Sequence, residues 1–128
     1  MESKEKYRVS LKGYLKGFTY AKDGLVSAYK NEQSMTIHFM TTVLVVILCI
    51  VLKASVLEWA VSILLLGLIA GMELINTSLE AVIDLISPKI HPLAKVGKDT
   101  ASAAVFVFAI TAVICGLLIF VPNLLELL

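Results

Sequence analysis

An apolar run from Ala60 to Met72 passes without a break into Glu73-Leu-Ile-Asn-Thr-Ser-Leu-Glu80-Ala-Val-Ile-Asp84. Glu73, Asn76, Thr77, Glu80 and Asp84 stand at i, i+3, i+4, i+7 and i+11, so a helix gathers them on one face about 100° wide. Leu74, Ile75, Leu79, Val82 and Ile83 fill the remaining positions. An otherwise apolar helix therefore carries a stripe of three carboxylates and an amide. Carboxylates at or near membrane depth are costly and mark functional sites. Like charges one or two turns apart repel unless a cation, a base or protonation relieves them. For Asp84, last in the stripe, a plain solvated helix end is the competing explanation; Glu73 follows directly on hydrophobic sequence.

The rest of the chain has the composition of an integral membrane protein. It is 128 residues long and 59% hydrophobic, with mean hydropathy +0.91, far above a soluble domain of this size. It reads as one domain, 1–128. Seven of the eleven basic residues (Lys4, Lys6, Arg8, Lys12, Lys16, Lys22, Lys30) precede the first long apolar run. Lys89, Lys95 and Lys98 lie between the second and third runs, and only Lys53 between the first and second. The positive-inside rule then places the N-terminus and the 87–99 loop in the cytoplasm and the 53–57 turn and the C-terminus outside. The first apolar run starts too late, and lacks the cleavage signature, for a signal peptide. Cys49 and Cys115 fall inside apolar runs and read as small packing residues.

Residues 1–9 read as a loose polar tail. Residues 10–31 follow the i, i+3, i+4, i+7 pattern through Leu11, Tyr14, Leu15, Phe18, Ala21, Leu25, Ala28 and Tyr29, with lysines at other positions. This predicts a basic amphipathic helix suited to an anionic inner leaflet or to packing on the protein itself. Gly24 is a candidate bend in it. After the polar junction Asn31-Glu32-Gln33-Ser34, membrane helices are expected at about 35–52, 56–86 and 101–121. His38, near the inner end of the first, reads as structural. The second is too long for the bilayer alone, so its last turns, with the carboxylates, emerge on the cytoplasmic side. Ser87-Pro-Lys-Ile-His-Pro92 breaks it. Asp99 or Thr100 is expected to cap the third helix, whose small residues Ala101-Ser-Ala-Ala104 favour close contact and which Pro122 is expected to end.

Carboxylates beside a basic loop and a helix N-terminus point to phosphate and a divalent cation. Mg²⁺ takes oxygen ligands and bridges carboxylates to phosphate oxygens, while lysines and free helix N–H groups hold phosphates. Gly97-Lys98 lacks the upstream glycine and following hydroxyl of a Walker A loop, and no protein-kinase signature is present.

The order Glu73-x-x-Asn76-Thr-x-x-Glu80-x-x-x-Asp84, a loop, then Lys98-Asp99-x-x-Ser-Ala-Ala resembles the prokaryotic diacylglycerol kinase family over nearly the whole chain. Ile90-His-Pro-Leu-Ala-Lys95 and Lys98-Asp-Thr100 look like its Gram-positive, undecaprenol kinase branch; the enterobacterial branch carries an acidic residue where this chain has His38. The resemblance implies an all-α membrane protein of the bacterial cell membrane, with a surface helix and three membrane helices per chain, assembled as a trimer. It implies ATP- and Mg²⁺-dependent phosphorylation of a lipid alcohol, either undecaprenol or diacylglycerol, and no nucleic-acid partner. It also implies roles: Glu73 as general base, Asn76 orienting the reacting groups, Glu32 and Glu80 ligating the metal, Lys98 neutralising the transferring phosphoryl group and Asp99 holding the nucleotide. Tyr20 and His91 would lie near the nucleotide, and Arg8 or Lys12 would supply a further basic contact. A proton- or ion-conducting oligomer with Glu73 and Glu80 as relay groups fits the stripe but not the basic loop. A non-catalytic assembly subunit predicts little effect from changing the stripe.

Overall fold

The computed structural model describes residues 9–128, so most of the expected tail and the candidate contact at Arg8 lie outside the described residues. Four α-helices follow in order: α1 Leu11–Asn31, α2 Gln33–Val51, α3 Val56–Ile86 and α4 Pro92–Leu127. The chain divides into two compact units, an N-terminal one that ends at Glu32 and a larger one, Gln33–Leu128.

In the N-terminal unit, Ser10 caps α1 by accepting from the Gly13 N–H at 3.1 Å. Lys30 in the last turn complements the negative end of the helix dipole. Glu32, in extended conformation, closes the helix with its N–H on the Ala28 carbonyl at 2.9 Å. The helix passes Gly24 without interruption, because one glycine costs only about 1 kcal/mol in a helix of good formers.

In the larger unit, α2 and α4 both pack against α3. All three are long and apolar enough to cross a membrane. Large side chains such as Phe39, Met40, Phe106 and Leu118 remain exposed, as lipid-facing positions do. The protein is thus a multi-pass membrane protein. At 1.5 Å per residue, the 31 residues of α3 and 36 of α4 extend about 46 and 54 Å, against a hydrocarbon core of about 30 Å. Both helices must therefore extend beyond the apolar layer.

Two local devices shape the turn between α2 and α3. Lys53 adopts a left-handed φ of 53°. The Ala54 N–H reaches the Cys49 carbonyl at 2.9 Å and the Lys53 N–H reaches that of Ile50 at 3.3 Å, which is a Schellman closure. Ser55 and Glu58 then form a capping box at the start of α3. Oε2 of Glu58 also accepts from Nδ2 of Asn123 at 3.0 Å, joining the start of α3 to the end of α4.

The second membrane helix agrees with the sequence expectation, and the first begins two residues earlier, at Gln33. The third differs at both ends. It starts at Pro92, not near 101, because His91 is extended, its Nδ1 accepts from the Leu93 N–H at 3.1 Å, and Pro92 occupies the first turn, where a missing N–H costs nothing. Asp99 and Thr100 therefore cap nothing; the Thr100 hydroxyl bonds back to the Val96 carbonyl at 2.7 Å. Nor does Pro122 end the helix, which continues to Leu127. Proline removes one backbone bond there, whereas unwinding an apolar segment would strand several.

Candidate active site

Glu73 lies seventeen residues after Val56, about 26 Å along α3 at 1.5 Å per residue. That puts it near the far edge of the apolar layer. It is buried, with only 7% of its surface exposed. Two residues of α2, one turn apart, meet its carboxylate. The Ser34 hydroxyl donates to Oε1, and Nε2 of His38 stands 3.8 Å from Oε2. Asn76, also buried, follows one turn on and donates through Nδ2 to Oε1 of Glu80 at 3.3 Å. Oδ1 of Asn76 and the Thr77 hydroxyl are buried without partners among the described residues. Buried polar atoms are normally satisfied, so this face has an unused amide oxygen and hydroxyl near the Glu80 carboxylate.

Farther along the same face, Asp84 pairs with the Lys98 ammonium from α4, and Lys95 pairs with Asp99. A cleft of about 280 Å³ is lined by Asp84, Lys89, His91, Lys95, Lys98 and Asp99, among others. Gly97 allows the close approach here, since a β-carbon on it would stand 2.9 Å from Cδ1 of Ile83. The stripe therefore has two poles. Glu73 with Ser34 and His38 forms one; the basic cleft, about 16 Å farther along α3 by helical rise, forms the other. Asn76 and Glu80 lie between them.

Of the residues singled out in the sequence, Lys98, Asp99 and His91 come together at the cleft, and Asn76 and Glu80 are joined to each other. Lys98 stands on Asp84, not beside Glu73, and sits in the second turn of α4, not at an exposed N-terminus. The N–H groups expected beside Lys98 are therefore already bonded within the helix; the helix start is at His91. Tyr20, exposed on α1, and Glu32, its C-cap, belong to the N-terminal unit. Among the described residues, no three of His, Cys, Asp and Glu converge as a ready-made metal cage.

Ser34 and His38 were not evident as site residues. Their i, i+4 spacing is ordinary, and nothing local ties them to a carboxylate 39 positions away. His38, expected to be structural, is a neighbour of Glu73. It also lines a second cavity of about 650 Å³, a groove among α2, α3 and α4 whose walls include Leu44, Leu48, Leu65, Ile69 and Phe120. This groove is almost wholly apolar, and Ile69 places it one helical turn from Glu73.

Comparison with known proteins accords with this arrangement. The family model described as prokaryotic diacylglycerol kinase matches residues 19–120. An undecaprenol kinase of Bacillus subtilis (strain 168) is 40% identical over 124 residues, 97% of this chain and all of that protein. A diacylglycerol kinase of Helicobacter pylori (strain ATCC 700392 / 26695) is 40% identical over 97 residues, 73% of each chain. A diacylglycerol kinase of Escherichia coli (strain K12) is 31% identical over 100 residues, 78% of this chain and 82% of that one. The family model spans most of a chain whose three apolar helices carry a carboxylate stripe on α3 with Glu73 buried at its start, and the chain belongs to the prokaryotic diacylglycerol kinase family.

Proposed function

We propose that this protein transfers the γ-phosphoryl group of ATP to the hydroxyl of a membrane lipid alcohol, with undecaprenol as the preferred acceptor and undecaprenyl phosphate and ADP as products. The observation that carries this reading is the buried carboxylate of Glu73 at the edge of the apolar layer, one turn from an apolar groove. A base in that position meets a lipid hydroxyl without drawing the chain out of the membrane. Undecaprenol, rather than diacylglycerol, is favoured by the full-length similarity to a protein named undecaprenol kinase.

The order of groups along α3 follows the order of the reacting atoms. Glu73 accepts the hydroxyl proton. Asn76 orients the groups in transfer. Lys98, released from Asp84, neutralises charge on the phosphoryl oxygens, and Asp99 and His91 hold the nucleotide with Tyr20 from α1. Phosphoryl transfer needs positioning and charge neutralisation more than covalent chemistry. The donor set fits magnesium, since Glu80 and the unpartnered Oδ1 of Asn76 are hard oxygen ligands. Glu80 and Glu32 would hold the ion, which supplies charge neutralisation between carboxylates and phosphates when bound.

The whole chain acts as a single domain. α1 lies on the cytoplasmic leaflet through its apolar face, with its lysines toward anionic headgroups. The N-terminus and the α3–α4 loop are cytoplasmic and the C-terminus is outside, in a bacterial cell membrane. A single chain leaves Asp84 exposed at the end of the stripe, which an oligomer would cover, and the family resemblance implies a homotrimer.

The test is a competition. Purified protein in nanodiscs receives labelled ATP, Mg²⁺ and equal amounts of undecaprenol and diacylglycerol, and the products are separated. Label mainly in undecaprenyl phosphate is expected. Preference for diacylglycerol would keep the mechanism and overturn the acceptor; label in neither would overturn the kinase reading.

A further inference from the structure

Deepening that reading, on which it rests, we propose that Ser34 is the positioning residue of the base: by donating to Oε1 of Glu73 it orients the carboxylate so that Oε2 takes the proton from the lipid hydroxyl. A glutamate carboxylate turns easily about its last torsion, which is broad and roughly two-fold. A serine hydroxyl has one hydrogen to donate, and here Oε1 receives it. Oε2 makes no hydrogen bond among the described residues, and Nε2 of His38 stands 3.8 Å away, beyond bonding range. One oxygen is thereby held and the other left free. The donor is itself held in place. Met35, the next residue, is wholly buried, which fixes the rotation of α2 and points Ser34 toward α3. The contact joins residues 39 apart in sequence, so it exists only in the packed unit.

In the reaction, the O–H bond of the alcohol breaks and its proton passes to Oε2. The oxygen lone pair forms the new bond to the γ-phosphorus, and the bond from that phosphorus to the bridging oxygen of ADP breaks, its pair leaving with ADP. Ser34 touches none of these atoms. Its effect is on the alignment of Oε2, where a misplacement of about 1 Å can cost on the order of 100-fold.

The experiment measures kcat and KM for ATP and for lipid in nanodiscs for wild type, Ser34→Ala, Ser34→Cys and Ser34→Thr. Loss of one charge-assisted hydrogen bond predicts a fall in kcat of about 10- to 30-fold in Ser34→Ala, with both KM values within about twofold. Ser34→Cys, close in size but a weak donor, follows Ala and keeps the comparison intact if the alanine variant does not fold. Ser34→Thr keeps the hydroxyl and recovers most of kcat. Wild-type kcat in both Ala and Cys variants would overturn the positioning role while leaving the kinase reading in place. So would a loss confined to KM, or a threonine variant as slow as alanine. No phosphorylation of any lipid alcohol by the wild type would overturn both.

Discussion

Gly97 in α4 and Ile83 in α3 meet so closely that a β-carbon on Gly97 would lie 2.9 Å from Cδ1 of Ile83 and 3.9 Å from its Cγ1. Each neighbours a member of the Asp84–Lys98 pair, so this contact sets how near that pair can come. Gly97→Ala poses two opposed effects. Inside a helix, alanine is favoured over glycine by about 0.8–1.0 kcal/mol. Against this, Ile83 must swing its terminal methyl away, and an off-rotamer side chain costs about 0.5–1.5 kcal/mol. The expected net change is small, within about 0.5 kcal/mol of zero. Ile83→Val deletes the offending Cδ1 and leaves Cγ1 at an ordinary distance. In that background the strain disappears and Gly97→Ala should stabilise by about 1 kcal/mol. The coupling between the two positions is then about 1 kcal/mol, within the range for residues in contact. The assay is a double-mutant cycle by denaturant or thermal unfolding in detergent, with KM for ATP measured alongside. A bulkier Gly97→Val should destabilise by about 1–3 kcal/mol in the Ile83 background. Equal stabilisation by Gly97→Ala in both backgrounds would refute the close approach as the limiting contact.

Three further outcomes follow from the same geometry. Glu73→Gln should lower turnover by at least about 100-fold, the lower range for a general base, while nucleotide binding measured by fluorescence competition stays near wild type; wild-type turnover would remove Glu73 as the base. Asp84→Asn breaks an ion pair whose side chains are 41% and 62% exposed, so stability should change by less than about 1 kcal/mol. Because the carboxylate no longer competes for Lys98, KM for ATP should fall by up to about fivefold, and a rise would show that Asp84 presents Lys98 rather than holding it back. Ser55→Ala removes the capping hydroxyl of α3 and should cost about 1 kcal/mol, seen as a lower Tm with kcat unchanged.

Much of the architecture was legible from local pattern. Long apolar runs leave no alternative to spanning helices, since in lipid each backbone group must be paired within its own segment. The 56–86 helix agrees with its expected bounds because a short turn precedes it and Ser87-Pro88 breaks it. The last helix is longer at both ends than its local signals predict. Asp99 and Thr100 have the chemistry of a cap, which predicts a start near 101, whereas His91-Pro92 already forms a complete cap. Pro122 predicts an end, but backbone groups within apolar sequence have no better partner outside the helix, which continues to Leu127.

What the sequence by itself determined is the stripe: the spacing of Glu73, Asn76, Glu80 and Asp84 puts them on one face of any helix they form, because 3.6 residues per turn is a property of the backbone. What only the tertiary structure decided is which atoms those groups meet. Ser34 and His38 reach Glu73 because α2 folds back along α3, and Lys98 reaches Asp84 because Gly97 lets α4 close on Ile83. Such pairings depend on how two helices are rotated and how closely they approach. That is settled by packing across the interface, not by periodicity within either helix.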